Sequence, residues 1–226
     1  PLGVRGGSSH TDTASAMTRQ DTTVAEQYDV WARVYDVLWR RYTEKTLPVL
    51  QRAAAVRGGE QVLDLASGTG ELARRLDGSV PELRLVGVDL SATMIERARR
   101  RLGDRPGLRV ERADAHDLPF DDASFDTVLC ANTFHYFSAP AQVLAEVERV
   151  LRADGRLILL DWCRDFWTCR AMDAVLRRVD PAHHACYTLD ELRGLLQAAR
   201  FDVRWSFRYR FDLIWGMMVV EARPRG

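Results

Sequence analysis

The sequence predicts an α/β fold in which a mostly parallel sheet carries helices on both faces. Three observations predict it. From residue 61 short apolar runs alternate with stretches of helical period, a glycine-rich turn joins the first run to the first helix, and acids close or follow the first three runs. Strands that read as nearly continuous apolar runs belong to a parallel sheet covered on both sides.

Ahead of that core, Val24, Tyr28, Trp31, Tyr35, Leu38, Trp39 and Tyr42 recur in steps of three and four. Such spacing puts an aromatic stripe along one helix over 22–42. A second helix is expected to follow, with Pro48 in its first turn and Gly58-Gly59 ending it. Residues 61–65 then read as a strand, 70–76 as a helix and 83–89 as a strand. Ser91 caps a helix running to about Leu102. Strands are expected over 108–111 and 126–131, with a turn at 121–124 between them. The helix over 139–151 has Val143, Leu144, Val147, Val150 and Leu151 on its apolar face. Asp154-Gly155 turns the chain into a strand over 156–161. Thr188-Leu-Asp-Glu191 is a capping box opening a helix to about Ala199, and 201–210 and 212–222 read as two strands able to pair antiparallel. Residues 162–187 lack a clear period and read as an irregular insertion with one helix near 170–179. There are no internal repeats.

The bulk numbers suit one α/β domain. The chain has 226 residues, 46% hydrophobic and 28% charged, enough for a substantial core. Its formal net charge is zero, so no global pull toward nucleic acid exists. Nearly all the cations are arginine, Lys45 being the only lysine. No apolar run reaches the roughly 18 residues of a membrane span, and the first twenty residues lack the apolar stretch of a secretory signal. Residues 1–20 read as a tag-like or disordered leader, 21–58 as a helical lid, 61–161 as a cofactor-binding core and 188–226 as a closing helix with two strands. Cys130, Cys163, Cys169 and Cys186 form no C-x-x-C pair, and the expectation is reduced thiols in a cytoplasmic protein.

The chemistry centres on the turn after the first strand. Gly68, Gly70 and Ala73 satisfy G-x-G-x-x-G/A, and Asp89 ends the next strand about twenty residues on. Alone, that pattern also fits NAD or FAD. Charge discriminates, because a dinucleotide sets its pyrophosphate on the helix N-terminus and a carboxylate facing the turn would repel it. Asp64 stands just before this turn. S-adenosylmethionine has no phosphate, and its sulfonium and α-amino groups are cationic, so an acid there is attractive. Asp89 can accept from both ribose hydroxyls, while Asp114 can accept from the adenine amino group with Ala115 offering a backbone donor. The bland alternative is that these acids only cap helices.

Residues 61–161 resemble the core of class I S-adenosylmethionine-dependent methyltransferases, particularly the ubiquinone/menaquinone-biosynthesis-type group. The resemblance rests on 62–70, on Val86-Gly-Val-Asp-Leu-Ser91, on Ala113-Asp-Ala115, on 125–130 and on 150–158. It implies a Rossmann-like sheet of seven strands in the order 3-2-1-4-5-7-6, the last antiparallel, under an N-terminal helical lid. It further implies cofactor contacts from Ala66, Ser67, Leu90, Met94, Ala131 and Asn132, with Tyr28 and Tyr35 reaching down from the lid. One position departs: Ala66 occupies the first place of the family's glycine triplet, where alanine is expected to keep a conventional backbone and narrow the methionine pocket.

The expected product is S-adenosylhomocysteine and the expected partner a small organic acceptor, its atom O, C, N or S. His135, with an ordinary pKa of about 6.5, can serve as base at neutral pH, with Asp161 and Tyr35 as further catalytic candidates. Trp31, Tyr136, Trp162, Arg164, Trp167, His183 and His184 are the candidate acceptor contacts, their aromatic share favouring an apolar or planar molecule. His183-His184 beside Cys186 does not preset a tetrahedral metal site, and no metal is expected. Two rivals remain open: a cofactor sensor or scaffold without turnover, and a nicotinamide oxidoreductase, against which Asp64 argues.

Overall fold

A computed structural model of the chain describes residues 40–225. Tyr28, Trp31 and Tyr35, and the leader 1–20, lie outside the described residues. Helix α1 spans Arg40–Ala54. Then come β1 (Gln61–Leu65), α2 (Glu71–Asp77), β2 (Arg84–Asp89), α3 (Ala92–Leu102), β3 (Leu108–Arg112) and β4 (Phe125–Ala131). A 3-10 turn at Phe134–Tyr136 leads to α4 (Pro140–Val150), β5 (Leu151–Trp162), α5 (Trp167–Val179), α6 (Leu189–Ala198), β6 (Phe201–Arg210) and β7 (Gly216–Pro224).

The seven strands form one sheet in the order β3-β2-β1-β4-β5-β7-β6. The pairs among β1–β5 are parallel, while β7 runs antiparallel to both β5 and β6. Strand residues alternate between two buried cores, as a sheet covered on both faces requires. Val62, Leu85, Leu129 and Ile158 pack with Leu50, Leu76 and Ile95 of α1, α2 and α3. Leu63, Val86, Val128 and Leu157 pack with Val143 and Val147 of α4 and Leu192 and Leu196 of α6.

Local chemistry fixes several boundaries. Ser91 Oγ accepts from Met94 N at 3.2 Å and starts α3. Thr188 and Glu191 form a reciprocal capping box at α6. Two expectations are corrected. Pro48 lies inside α1, not in the first turn of a separate helix. Its ring removes the donor to the Glu44 carbonyl, and Glu44 is exposed, so water can satisfy that group. Asp154-Gly155 does not interrupt β5, which runs through it with a register irregularity between Phe125 and Thr127 of its partner β4. The one helix expected near 170–179 in the insertion is α5, which starts three residues earlier.

Candidate active site

The carboxyl ends of parallel strands collect backbone and side-chain groups where the chain turns toward its helices. Here β1 delivers Asp64, which is 2% exposed and shares a face with Val62. Asp64 Oδ2 and Ser67 Oγ are buried with no hydrogen-bond partner. Burial, with Asp89 nearby, pushes the Asp64 carboxyl up to about 8. A carboxylate left this way is costly in the ligand-free protein and primed for a cation.

The turn is built from left-handed residues. Ala66, Gly68 and Gly70 have φ of 57°, 53° and 74°. Ala66 therefore does not keep a conventional backbone: the tight exit from β1 forces the left-handed region on a residue with a Cβ, at a cost of about 1 kcal/mol. Ala66→Gly is expected to raise the melting temperature by about 2–4 °C in a thermal scan, through relief of that strain. An unchanged or lower melting point would show that the glycine's extra unfolded-state freedom offsets the relief.

Asp89 locks the turn. Its Oδ2 accepts from Gly68 N at 2.8 Å and its Oδ1 from Ser91 N at 3.0 Å. A carboxylate has several lone pairs on its two oxygens, the acceptor type that a pair of ribose hydroxyls needs. Gly87, facing Asp64 in the β1–β2 register, lets the turn come close, since a Cβ there would meet Ser67 Oγ at 2.9 Å. Asp114, after β3, accepts at Oδ1 from His116 N at 2.9 Å and from His116 Nδ1 at 2.7 Å. Burial pushes its carboxyl up, but those bonds hold it below the usual range. Met94 is buried in the first turn of α3, Leu90 and Ala115 flank these acids, and the Leu90 carbonyl accepts from Arg112 Nε.

A cavity of about 60 Å³ opens between α1 and the turn, with Asp64, Ala66, Ser67 and Gly68 on one side and Ala131 and Asn132 on another. Tyr42 closes it from α1. Its hydroxyl donates to Asn132 Oδ1 at 2.8 Å and accepts from Trp162 Nε1 at 2.7 Å. Asn132, itself at φ 56°, also donates to Thr46 Oγ1. Tyr42, Thr43, Thr69 and Thr133 line this cavity and were not singled out from sequence. Tyr42 closed the predicted aromatic stripe, which was the signal available for it. A wider open groove of about 730 Å³ lies between α1 and β6, remote from these acids.

The other candidates fall in three places. His135, 2% exposed, pairs Nδ1 with Asp161 Oδ1 at 2.7 Å, while its backbone N–H donates to Asp161 Oδ2 at 2.9 Å. A carboxylate only accepts, so a ring proton lies on Nδ1, and Nε2 is buried and unpartnered. The ring stacks on Trp162 at 4.5 Å and touches Tyr136 at 4.2 Å. Trp162 thus stands between His135 and the Tyr42 wall. His183 pairs with Asp173 at 2.7 Å, and burial holds its imidazole below the ordinary value. Its ring centre lies 5.6 Å from that of His135, and His184 N donates to the His135 carbonyl. Arg164 instead pairs with Glu191, and Trp167, 71% exposed, lies on the outer surface of α5 and lines neither of the two cavities above. Among the described residues, no group of three or more His, Cys, Asp or Glu could hold a metal ion.

The pattern that defines the methyltransferase domain matches residues 63–159, the stretch from β1 into β5. These residues belong to the methyltransferase domain family. The cosubstrate of that family is S-adenosylmethionine, and the partnerless Asp64 and Ser67 atoms beside the glycine turn fit its cationic methionine end. The methyltransferase domain is 41% identical over 143 residues to a demethylmenaquinone methyltransferase of Thermotoga maritima, covering 61% of this chain and 58% of the relative. A demethylmenaquinone methyltransferase of Deinococcus radiodurans is 36% identical over 67% of this chain and 62% of its own length. A ubiquinone/menaquinone biosynthesis C-methyltransferase of Hahella chejuensis is 32% identical over 66% and 63%. The chain thus spans about three fifths of the length of these curated relatives. Among solved structures, the methyltransferase in a complex with the Haloferax volcanii Trm112 activator superposes with a TM-score of 0.79 at 21% identity, over 90% of this chain and 98% of that one. The [4+2]-cyclase SpnF superposes at 0.75 and 17% identity, over 92% and 97%. Likeness at that level establishes the class I methyltransferase fold and leaves the chemistry to the site.

Proposed function

We propose that the chain transfers the methyl group of S-adenosylmethionine to a small organic acceptor. The observation that carries this is the buried, partnerless Asp64 oxygen at a left-handed glycine turn, where a cation favours the ionised carboxylate and a pyrophosphate disfavours it. Asp89 would hold the ribose and Asp114 the adenine amino group. Methyl transfer is an in-line displacement: the new bond to the acceptor forms as the C–S bond breaks, and the electron pair leaves on sulfur. Most of the acceleration such a site supplies comes from alignment. The acceptor would approach from the side of Tyr42, Asn132 and Thr133, with His135 as the group able to take a proton if the acceptor loses one.

The names of the relatives support an acceptor of the quinone-precursor type, planar and partly apolar. Calorimetry tests the cofactor half. S-adenosylhomocysteine is expected to bind, with NADH giving no heat of binding; the reverse result would overturn the proposal in favour of an oxidoreductase. A screen of hydroxylated aromatic acceptors, read by S-adenosylhomocysteine release, tests the transfer. Tight cofactor binding with no turnover across the screen would support the sensor reading instead.

A further inference from the structure

Away from that site, large exposed apolar side chains lie along α5 and on the β6–β7 turn beside its first residues. Six are exposed among the described residues: Trp167, Val175 and Val179 on α5, Leu213 and Ile214 on the turn between β6 and β7, and Phe207 elsewhere. The two groups of the first five are tied together, since Thr168 Oγ1 donates to the Ile214 carbonyl at 2.6 Å and Gly216 N donates to Cys169 Sγ at 3.3 Å. Leu213 is 84% exposed. A monomeric soluble surface rarely leaves such a cluster uncovered.

The remainder of this face is cationic. Besides its apolar residues, α5 exposes Arg170, Arg177 and Arg178, and no acid. Its one acid, Asp173, is turned inward, where it accepts from His183 Nε2 and Cys186 N and pairs with Arg177. Arg210 lies over the Phe166 ring at the start of the helix, 5.1 Å from its centre. Asp212, the acid of the turn, spends one oxygen on Ile214 N and Trp215 N. With Asp173, Asp180 and Asp212 set against Arg170, Arg177, Arg178 and Arg210, the face keeps a small positive excess in a chain that is formally neutral.

We propose that α5 and the Leu213–Ile214 turn dock this chain onto an anionic lipid surface. An amphipathic helix with tryptophan and branched aliphatics among arginines lies in the plane of the headgroups, apolar groups down and guanidiniums among the phosphates. At 13 residues α5 cannot cross a bilayer, and no described helix is long and apolar enough to do so. A second copy is the weaker occupant, because a twofold contact through this face would set its arginines against their own copies. Nucleic acid would satisfy the arginines but leave Leu213, Val175 and Val179 against phosphate and water. This docking does not depend on methyl transfer.

The test is co-sedimentation of the full chain with vesicles of phosphatidylcholine alone and of phosphatidylcholine with an equal part of phosphatidylglycerol. Partition onto the anionic vesicles is expected, weakening with added salt, with little on the neutral ones. Leu213→Asp should reduce that partition about tenfold and Arg178→Glu at least about fivefold. Both residues are solvent-exposed, so S-adenosylhomocysteine binding should be unchanged and serves as the control for folding. Equal partition onto both vesicles would overturn the assignment of an anionic surface. Absence of partition, or a concentration-dependent dimer that Leu213→Asp abolishes, would overturn the proposal altogether.

Discussion

Asp64→Asn is expected to weaken S-adenosylmethionine binding by at least about a hundredfold while making the ligand-free protein more stable at pH 8. Both effects have one cause. The carboxyl is buried without a partner and its pKa is raised to about 8. In the unfolded chain the same group titrates near its ordinary value of about 3.9. The folded state therefore keeps a proton that the unfolded state has released. Asp64 costs nothing below about pH 4, and stability is lost as the pH rises from there through about 8. Asparagine removes that loss. A cationic cofactor acts in the opposite sense, favouring the ionised acid, so binding at pH 7 should release close to one proton. Affinity should rise up to about tenfold per pH unit below 8 and level off above it. Calorimetry in two buffers of different ionisation enthalpy measures the proton, and thermal scans at pH 5 and pH 8 measure the stability. An asparagine variant that binds the cofactor normally would remove Asp64 from the site.

His135→Ala is the second large effect. With an acceptor that must lose a proton, kcat should fall about 10²–10⁴-fold with the KM for S-adenosylmethionine nearly unchanged. Asp161→Asn should fall in parallel, since His135 presents its backbone N–H and its Nδ1 to the two carboxylate oxygens, and asparagine turns one of them into an NH2 donor. The structure offers a competing outcome. His135 stacks on Trp162, and Trp162 donates to the Tyr42 hydroxyl that closes the cavity. If the ring serves only to hold that wall, kcat should change by less than about tenfold and the KM values should rise. Unaltered turnover and KM would leave His135 as core packing.

The reach of the sequence can be judged from particular residues. The strands and the turn chemistry were legible because both depend on local rules, namely runs of apolar residues, Ser91 and Thr188 at caps, and glycines at 68 and 70, whereas the strand order came from the family resemblance. The acids Asp64, Asp89 and Asp114 were legible for the same reason, each standing at the end of a readable strand. Pro48 was misplaced because exposure of the Glu44 carbonyl, and not the proline itself, decides whether a helix tolerates it. Ala66 was misjudged because the path out of β1 is set by its packing against β2 and Gly87. Trp167 was read as a site wall from composition, yet the orientation of α5 turns it outward, while Arg164 is drawn to Glu191 on a helix 27 residues away.

The sequence by itself determined the α/β class, the glycine turn and an acid standing just before that turn. Those follow from periodicity, backbone preference and the sign of one charge. Only the tertiary structure decided that Asp64 has no partner, that Tyr42 closes the cavity, that His135 belongs to Asp161 behind Trp162, and that α5 exposes an apolar and cationic face. Each of these depends on contacts between residues far apart in the chain, and no local pattern encodes the distance between them.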